Sequence, residues 1–111
     1  MPTYKAPVTD TLFILNDVLN IDQYTHLPAF SGATPDMVEA ILNEGGRFCE
    51  EVVAPLNRIG DMEGCTRHAD GSVTTPTGFK EGFAQYVEAG WPVLTLPEEF
   101  GGQGMPHTVT L

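Results

Sequence analysis

Few residues in this chain are of a type and spacing to do chemistry. Cys65 and His68 stand as Cys-x-x-His, with Cys49, Asp61 and Glu63 nearby. Thiolate and imidazole are zinc ligands, but zinc sites carry a second pair at motif spacing. The sequence has no such pair, so a polar turn with an incidental cysteine is the better reading. Glu98 and Glu99 are adjacent carboxylates, and a general acid needs a raised pKa and a partner beside the reacting atom. The expectation is plainer: one caps a backbone N–H or joins an ion pair while the other faces solvent. Gly101, Gly102 and Gly104 suggest a phosphate cradle. They lack the Lys-Ser/Thr of a P-loop and the preceding strand of a dinucleotide fingerprint, so tight turning is their expected purpose. Glu50 and Glu51 read as a solvated helix face, and Phe79, Phe83 and Tyr86 as core. His26, His68 and His107 are scattered, with no serine or cysteine nucleophile placed by a motif. No catalytic, cofactor-binding or metal-ligating residue is assigned.

The elements that would position these groups are helical. Residues 1–8, with Pro2 and Pro7, read as an extended arm. Thr9 or Asp10 caps a short helix to about Leu19, on Leu12, Leu15, Val18 and Leu19. Residues 20–33 form an irregular connection whose Tyr24, Leu27 and Phe30 should pack down. The longest helix opens at Thr34, a good N-cap, followed by Pro35 and Asp36. Val38, Ile41, Leu42, Phe48, Cys49, Val52 and Leu56 keep to one stripe. Gly45 and Gly46 fall on or beside it at about 1 kcal/mol each in propensity, which points to close approach of another element or a kink. Pro55 should bend or end this helix unless that turn is held by contacts. Residues 57–76 are polar, with a tight turn at Asp70-Gly71 and a small ribbon near 68–74. A third helix begins within 75–78, with Pro76 in its first turn, and runs to Ala89. Phe79, Phe83, Tyr86 and Val87 form its face and Gly90 its C′ stop. Residues 105–108 are placed to open a further helix.

Residues 90–104, GWPVLTLPEEFGGQG, read as an ordered loop. Trp91, Val93, Leu94, Leu96 and Phe100 each gain about 1.5–3 kcal/mol on burial. Pro92 and Pro97 stiffen the path, and the glycines allow positive φ and close backbone approach.

Composition sets the outer limits. At 111 residues the chain is one domain or part of one. Ten aromatics, six Phe, three Tyr and one Trp, support a core. The net charge of −10 disfavours nucleic acid and anionic membranes as partners, and leaves the segment ill suited to hold a polyphosphate by itself. Two cysteines and no signal peptide suggest a reducing, cytoplasmic setting. No apolar run approaches the ~20 residues that span a bilayer.

Three stretches carry a resemblance. Residues 47–58, RFCEEVVAPLNR, resemble the first long helix of acyl-CoA dehydrogenases, with its F-x-E-E-x-x-x-P-L pattern. Residues 79–91 resemble the next helix, and residues 97–105, PEEFGGQGM, the loop after it. Order and spacing agree. The front segment is similar to the extension of a larger bacterial subgroup that includes methylthiopropanoyl-CoA dehydrogenase-like enzymes. The resemblance implies an all-α, partial helical bundle: an N-terminal extension with a short helix (1–33), then an incomplete N-terminal helical domain (34–111). It implies a β domain and a C-terminal helical domain as the partners that complete it. It further implies FAD held mainly by those later parts, acyl-CoA as substrate, an electron-transfer flavoprotein as acceptor and a homo-oligomer. No motif position present matches the family's catalytic base, so these residues alone are expected to bind no FAD and to be inactive. The rival expectation is a free-standing, non-enzymatic helical interaction module.

Overall fold

A computed structural model describes residues 3–110. Residues 3–7 form an irregular arm, and Pro2, named above in that arm, lies outside the described residues. α1 (Val8–Phe13) continues as a π-helical turn over Ile14–Val18. The helix starts earlier than a Thr9 or Asp10 cap allows. Pro7 occupies the cap position without a side-chain bond, and its carbonyl accepts from Thr11 N–H and Oγ1 at 3.0 and 2.9 Å. The connection that follows contains 3-10 turns at Ile21–Tyr24 and Pro28–Phe30. Tyr24 and Leu27 stay largely exposed, although Tyr24 meets Phe30 ring to ring at 6.0 Å. Ile21 and Ala33 are the residues of this stretch that go inside.

α2 (Pro35–Phe48) is capped as its sequence demands, Thr34 Oγ1 accepting from Met37 N–H at 3.4 Å. Pro55 does not end it. A π-helical turn (Cys49–Val53) leads straight into α3 (Ala54–Glu63), where Pro55 lies in the first turn. In a regular helix a proline ring meets the carbonyl four residues back. Here the amide of Ala54 reaches back five residues to Cys49. The wider turn spreads the carbonyls before Pro55, and helical backbone runs on through Glu63.

β1 (Thr66–Arg67) and β2 (Val73–Thr74) pair antiparallel, Thr66 opposite Thr74 and Arg67 opposite Val73. The ribbon thus begins two residues before the expected 68–74. Its turn is closed by Asp70, whose Oδ1 accepts from Ser72 N–H at 2.9 Å and Ser72 Oγ at 2.6 Å. α4 (Phe79–Glu88) follows, with Gly78 at its cap. Pro76 lies outside α4, buried ahead of it. Gly90, at φ 81°, ends the helix as expected, its N–H on Val87 O at 3.0 Å. Short 3-10 turns at Trp91–Val93, Glu98–Phe100 and His107–Val109 complete the described chain. The last of these stands where a further helix was anticipated.

The fold is all-α but for this ribbon. Its buried apolar centre is small: Leu15 and Ile21, Ala33, Val38 and Leu42 of α2 or just before it, and Val109, with Val8, Leu12 and Ile41 against them. α3 and α4 meet through small residues. Leu56 fits beside Gly78 and Gly82, where an added Cβ would come within 2.9 and 2.8 Å of its methyls. The radius of gyration is 17.3 Å, against about 13 Å for a compact domain of this length. The extents are 56 × 37 × 17 Å, so the molecule is a slab. It exposes 7905 Å², where a compact 12.0 kDa monomer exposes about 6,000 Å².

Candidate functional site

The feature that could serve a function is an apolar groove of about 470 Å³ along one flank of α2. Its floor is the helix itself at Ile41, Leu42, Gly45, Gly46, Phe48 and Cys49. One wall is the N-terminal arm and the start of α1. The other is Tyr86 of α4 with Trp91 and Leu94. Phe48 lies 6.3 Å from both Trp91 and Tyr86, centroid to centroid, which joins floor to wall. Gly45 and Gly46 explain how these elements come so near. A Cβ at Gly46 would lie 2.8 Å from Val8 Cγ2 and 3.1 Å from Ala6, and one at Gly45 3.4 Å from Trp91 Cη2. The paired glycines mark close approach, one receiving the arm and the other the indole.

The arm has a polar attachment as well. Glu50 Oε2 accepts from Lys5 Nζ and Glu50 Oε1 from Ala6 N–H, each at 2.9 Å. Glu50 is therefore no idle member of a solvated face. It is half-buried, and the Lys5 bond, then the Ala6 N–H, hold its carboxyl below the usual range. Glu51 is exposed, as expected. The indole Nε1–H of Trp91 and Oδ1 of Asn16 are buried with no hydrogen-bond partner.

Residues 90–105 hold their shape through their own backbone. Gly102 N–H donates to Pro97 O at 3.1 Å, Gln103 N–H to Val93 O at 3.1 Å, Gly104 N–H to Leu96 O at 2.9 Å and Met105 N–H to Leu94 O at 3.0 Å. The glycine cluster is thus a turn former, and it does not fit a dinucleotide phosphate, since its amides are spent on carbonyls. Leu94 is buried and Trp91 and Val93 half-buried, but Leu96 is exposed and Phe100 is 74% exposed. Glu98 and Glu99 are both exposed, and it is the Glu98 carbonyl that closes a turn by accepting from Gly101 N–H at 2.9 Å.

The other sequence candidates do not converge. Cys65 is exposed and Cys49 half-buried, and both are free thiols. His68 Nε2 lies 2.6 Å from Thr74 Oγ1 across the ribbon, and Glu63 Oε2 accepts from Thr77 N–H at 2.7 Å. Among the described residues, no three His, Cys, Asp or Glu side chains gather as a metal would require. Phe79, Phe83 and Tyr86 are not core in this chain: Phe83 is 66% exposed, and the other two stand at the edge of exposure. With Val87, Leu96 and Phe100 they make α4 and the following loop an uncovered apolar surface. The arrangement is one for packing.

The sequence of this helical slab, its PEEFGGQG turn included, is similar to the N-terminal region of acyl-CoA dehydrogenases. Over 107 residues the chain is 42% identical to 3-methylmercaptopropionyl-CoA dehydrogenase of Ruegeria pomeroyi, which covers 96% of this chain and 18% of that protein. It is 32% identical over 110 residues to the broad-specificity linear acyl-CoA dehydrogenase FadE5 of Mycobacterium tuberculosis, covering 98% of this chain and 18% of that enzyme. The chain therefore spans less than a fifth of the curated relatives it matches. No protein-family model matches it. No helix among the described residues is long and apolar enough to cross a membrane.

Proposed function

We propose that the chain is the N-terminal portion of an FAD-dependent acyl-CoA dehydrogenase, an extension (1–33) and the start of a helical domain (34–111). Its role there is to pack on a β domain and a C-terminal helical domain and to wall part of the acyl pocket. The observation that carries this reading is the 42% identity along nearly the whole chain to one such enzyme. The shape agrees with it. Roughly 1,900 Å² of surface beyond that of a compact monomer is of the order an obligate interface requires. FAD supplies the hydride acceptor for α,β-dehydrogenation of an acyl-CoA thioester. This chain's residues bring no base to the α carbon and no cradle to the flavin phosphates. A homo-oligomer in a reducing cytoplasm, passing electrons to an electron-transfer flavoprotein, completes the proposal.

The test is to express the full reading frame that contains these residues and to express residues 3–110 separately. The full product should be yellow and should reduce a dye acceptor when given acyl-CoA, while the shorter piece should be colourless and bind an apolar dye. Stoichiometric flavin on the short piece would sink the reading. The rival, a free-standing interaction module, explains the same uncovered apolar surface. It would be favoured by a reading frame that closes without a β domain and a product that self-associates.

A further inference from the structure

We propose that residues 4–7 are a detachable strap, hinged at Pro7 and latched by Glu50, whose engagement determines whether the apolar groove on α2 is narrow or widened. The inference stands independently of the dehydrogenase reading.

The geometry gives the strap two anchors. The first is the Glu50 carboxylate, which takes the charged Lys5 ammonium on one oxygen and the Ala6 amide on the other. The second is the bare backbone at Gly46, against which Ala6 rests. Past Pro7 the chain enters α1, and Leu15 just beyond α1 is fixed in the buried centre. The hinge therefore divides a segment held by the core from one held by a single carboxylate and a shallow contact. Lys5 itself is 77% exposed and Tyr4 nearly half exposed, so the strap has little apolar burial to keep it down. Yet Tyr4, Ala6 and Pro7 line the groove. Lifting them removes the outer part of that wall and widens the groove, while Val8, packed on the buried centre, stays against Gly46. Glu50 is in this sense a positioning residue: it touches the strap and decides where the strap lies.

The test uses the Lys5–Ala6 peptide bond as its own reporter, because trypsin cleaves after Lys5 only when the strap leaves α2. Cleavage of a transiently opened segment tracks the population of the open form when closing is fast. Limited digestion of the full-length gene product is followed by mass, and the rate of cutting after Lys5 is divided by the rate after Lys80 in α4. Any general loosening then cancels. Glu50→Ala, which removes both acceptors, should raise this ratio about tenfold, as expected for loss of charge-assisted hydrogen bonds. Glu50→Gln, which keeps an acceptor for Ala6 N–H, should raise it by less, about threefold. Hydroxyl-radical labelling of Trp91, a groove residue, read by peptide mass in the same full-length product, should increase in the same order. An unchanged ratio in Glu50→Ala overturns the latch. A raised ratio with Trp91 no more accessible overturns the link between strap and groove.

Discussion

Gly101 and Gly102 stand side by side and resist substitution for different reasons. Gly101 has φ 82° with open space around it, so Gly101→Ala should cost only the left-handed strain, about 1–2 kcal/mol. Gly102 has no such φ, but an added Cβ would fall 1.9 Å from Leu96 O and 2.3 Å from its carbonyl carbon. Backbone cannot swing aside as a side chain can, so Gly102→Ala should cost about 3 kcal/mol or more and open the loop. Urea midpoints of the two variants in the full-length protein check the order. Glu50 gives a second expectation at this scale. Its carboxyl is held below the ordinary 4.5 by Lys5 and by Ala6 N–H. Its contribution to stability is therefore fully present above 4.5 and lost as pH falls through the lowered folded value. Glu50→Gln should flatten that part of the acid limb, seen as a smaller drop in melting temperature between neutral and acidic buffer than the parent shows.

Between elements, the contact of α3 with α4 rests on Leu56 beside Gly78 and Gly82. Leu56→Ala should cost about 2 kcal/mol, the low end for such a truncation because Leu56 is half-buried. Hydrogen exchange should speed in α4 ahead of α2. At this scale much was legible in the residues themselves. Thr34-Pro35-Asp36 announces the start of α2, Gly90 the end of α4, and the Gly45–Gly46 pair its two close neighbours, because each rests on chemistry within a turn or on the lack of a side chain. Pro55 does not end the helix because a π-helical turn can spread the carbonyls a proline ring would strike, and periodicity alone does not reveal such a turn. Glu50 was missed as an anchor because its partners Lys5 and Ala6 lie 45 and 44 residues away. Ile21 and Val109 join the centre from short turns too brief to show any period. The PEEFGGQG turn stood out, yet only the backbone shows that its amides are already taken. Phe79, Phe83, Tyr86, Leu96 and Phe100 were read as buried on hydrophobicity, which says that a side chain seeks cover without saying which chain provides it.

For the whole molecule that distinction becomes measurable. Phe83 is 66% exposed here, so Phe83→Ser should scarcely alter the stability of residues 3–110. If further domains cover α4, the same change in the full-length protein should cost about 1.5–3 kcal/mol, the burial of one aromatic side chain. Comparing denaturation of the two lengths reads the difference directly. The slab's short dimension of 17 Å has one more consequence. A layer that thin leaves little interior to share: among the described residues, the buried centre draws nothing from α3, the ribbon or α4. All-or-none melting depends on elements sharing one interior. With only a small shared centre, residues 3–110 should lose structure piecemeal on heating: a broad transition, a calorimetric enthalpy larger than the van't Hoff value, and the ribbon and α4 gone before α2. Cooperativity would then be a property this segment acquires from what covers it.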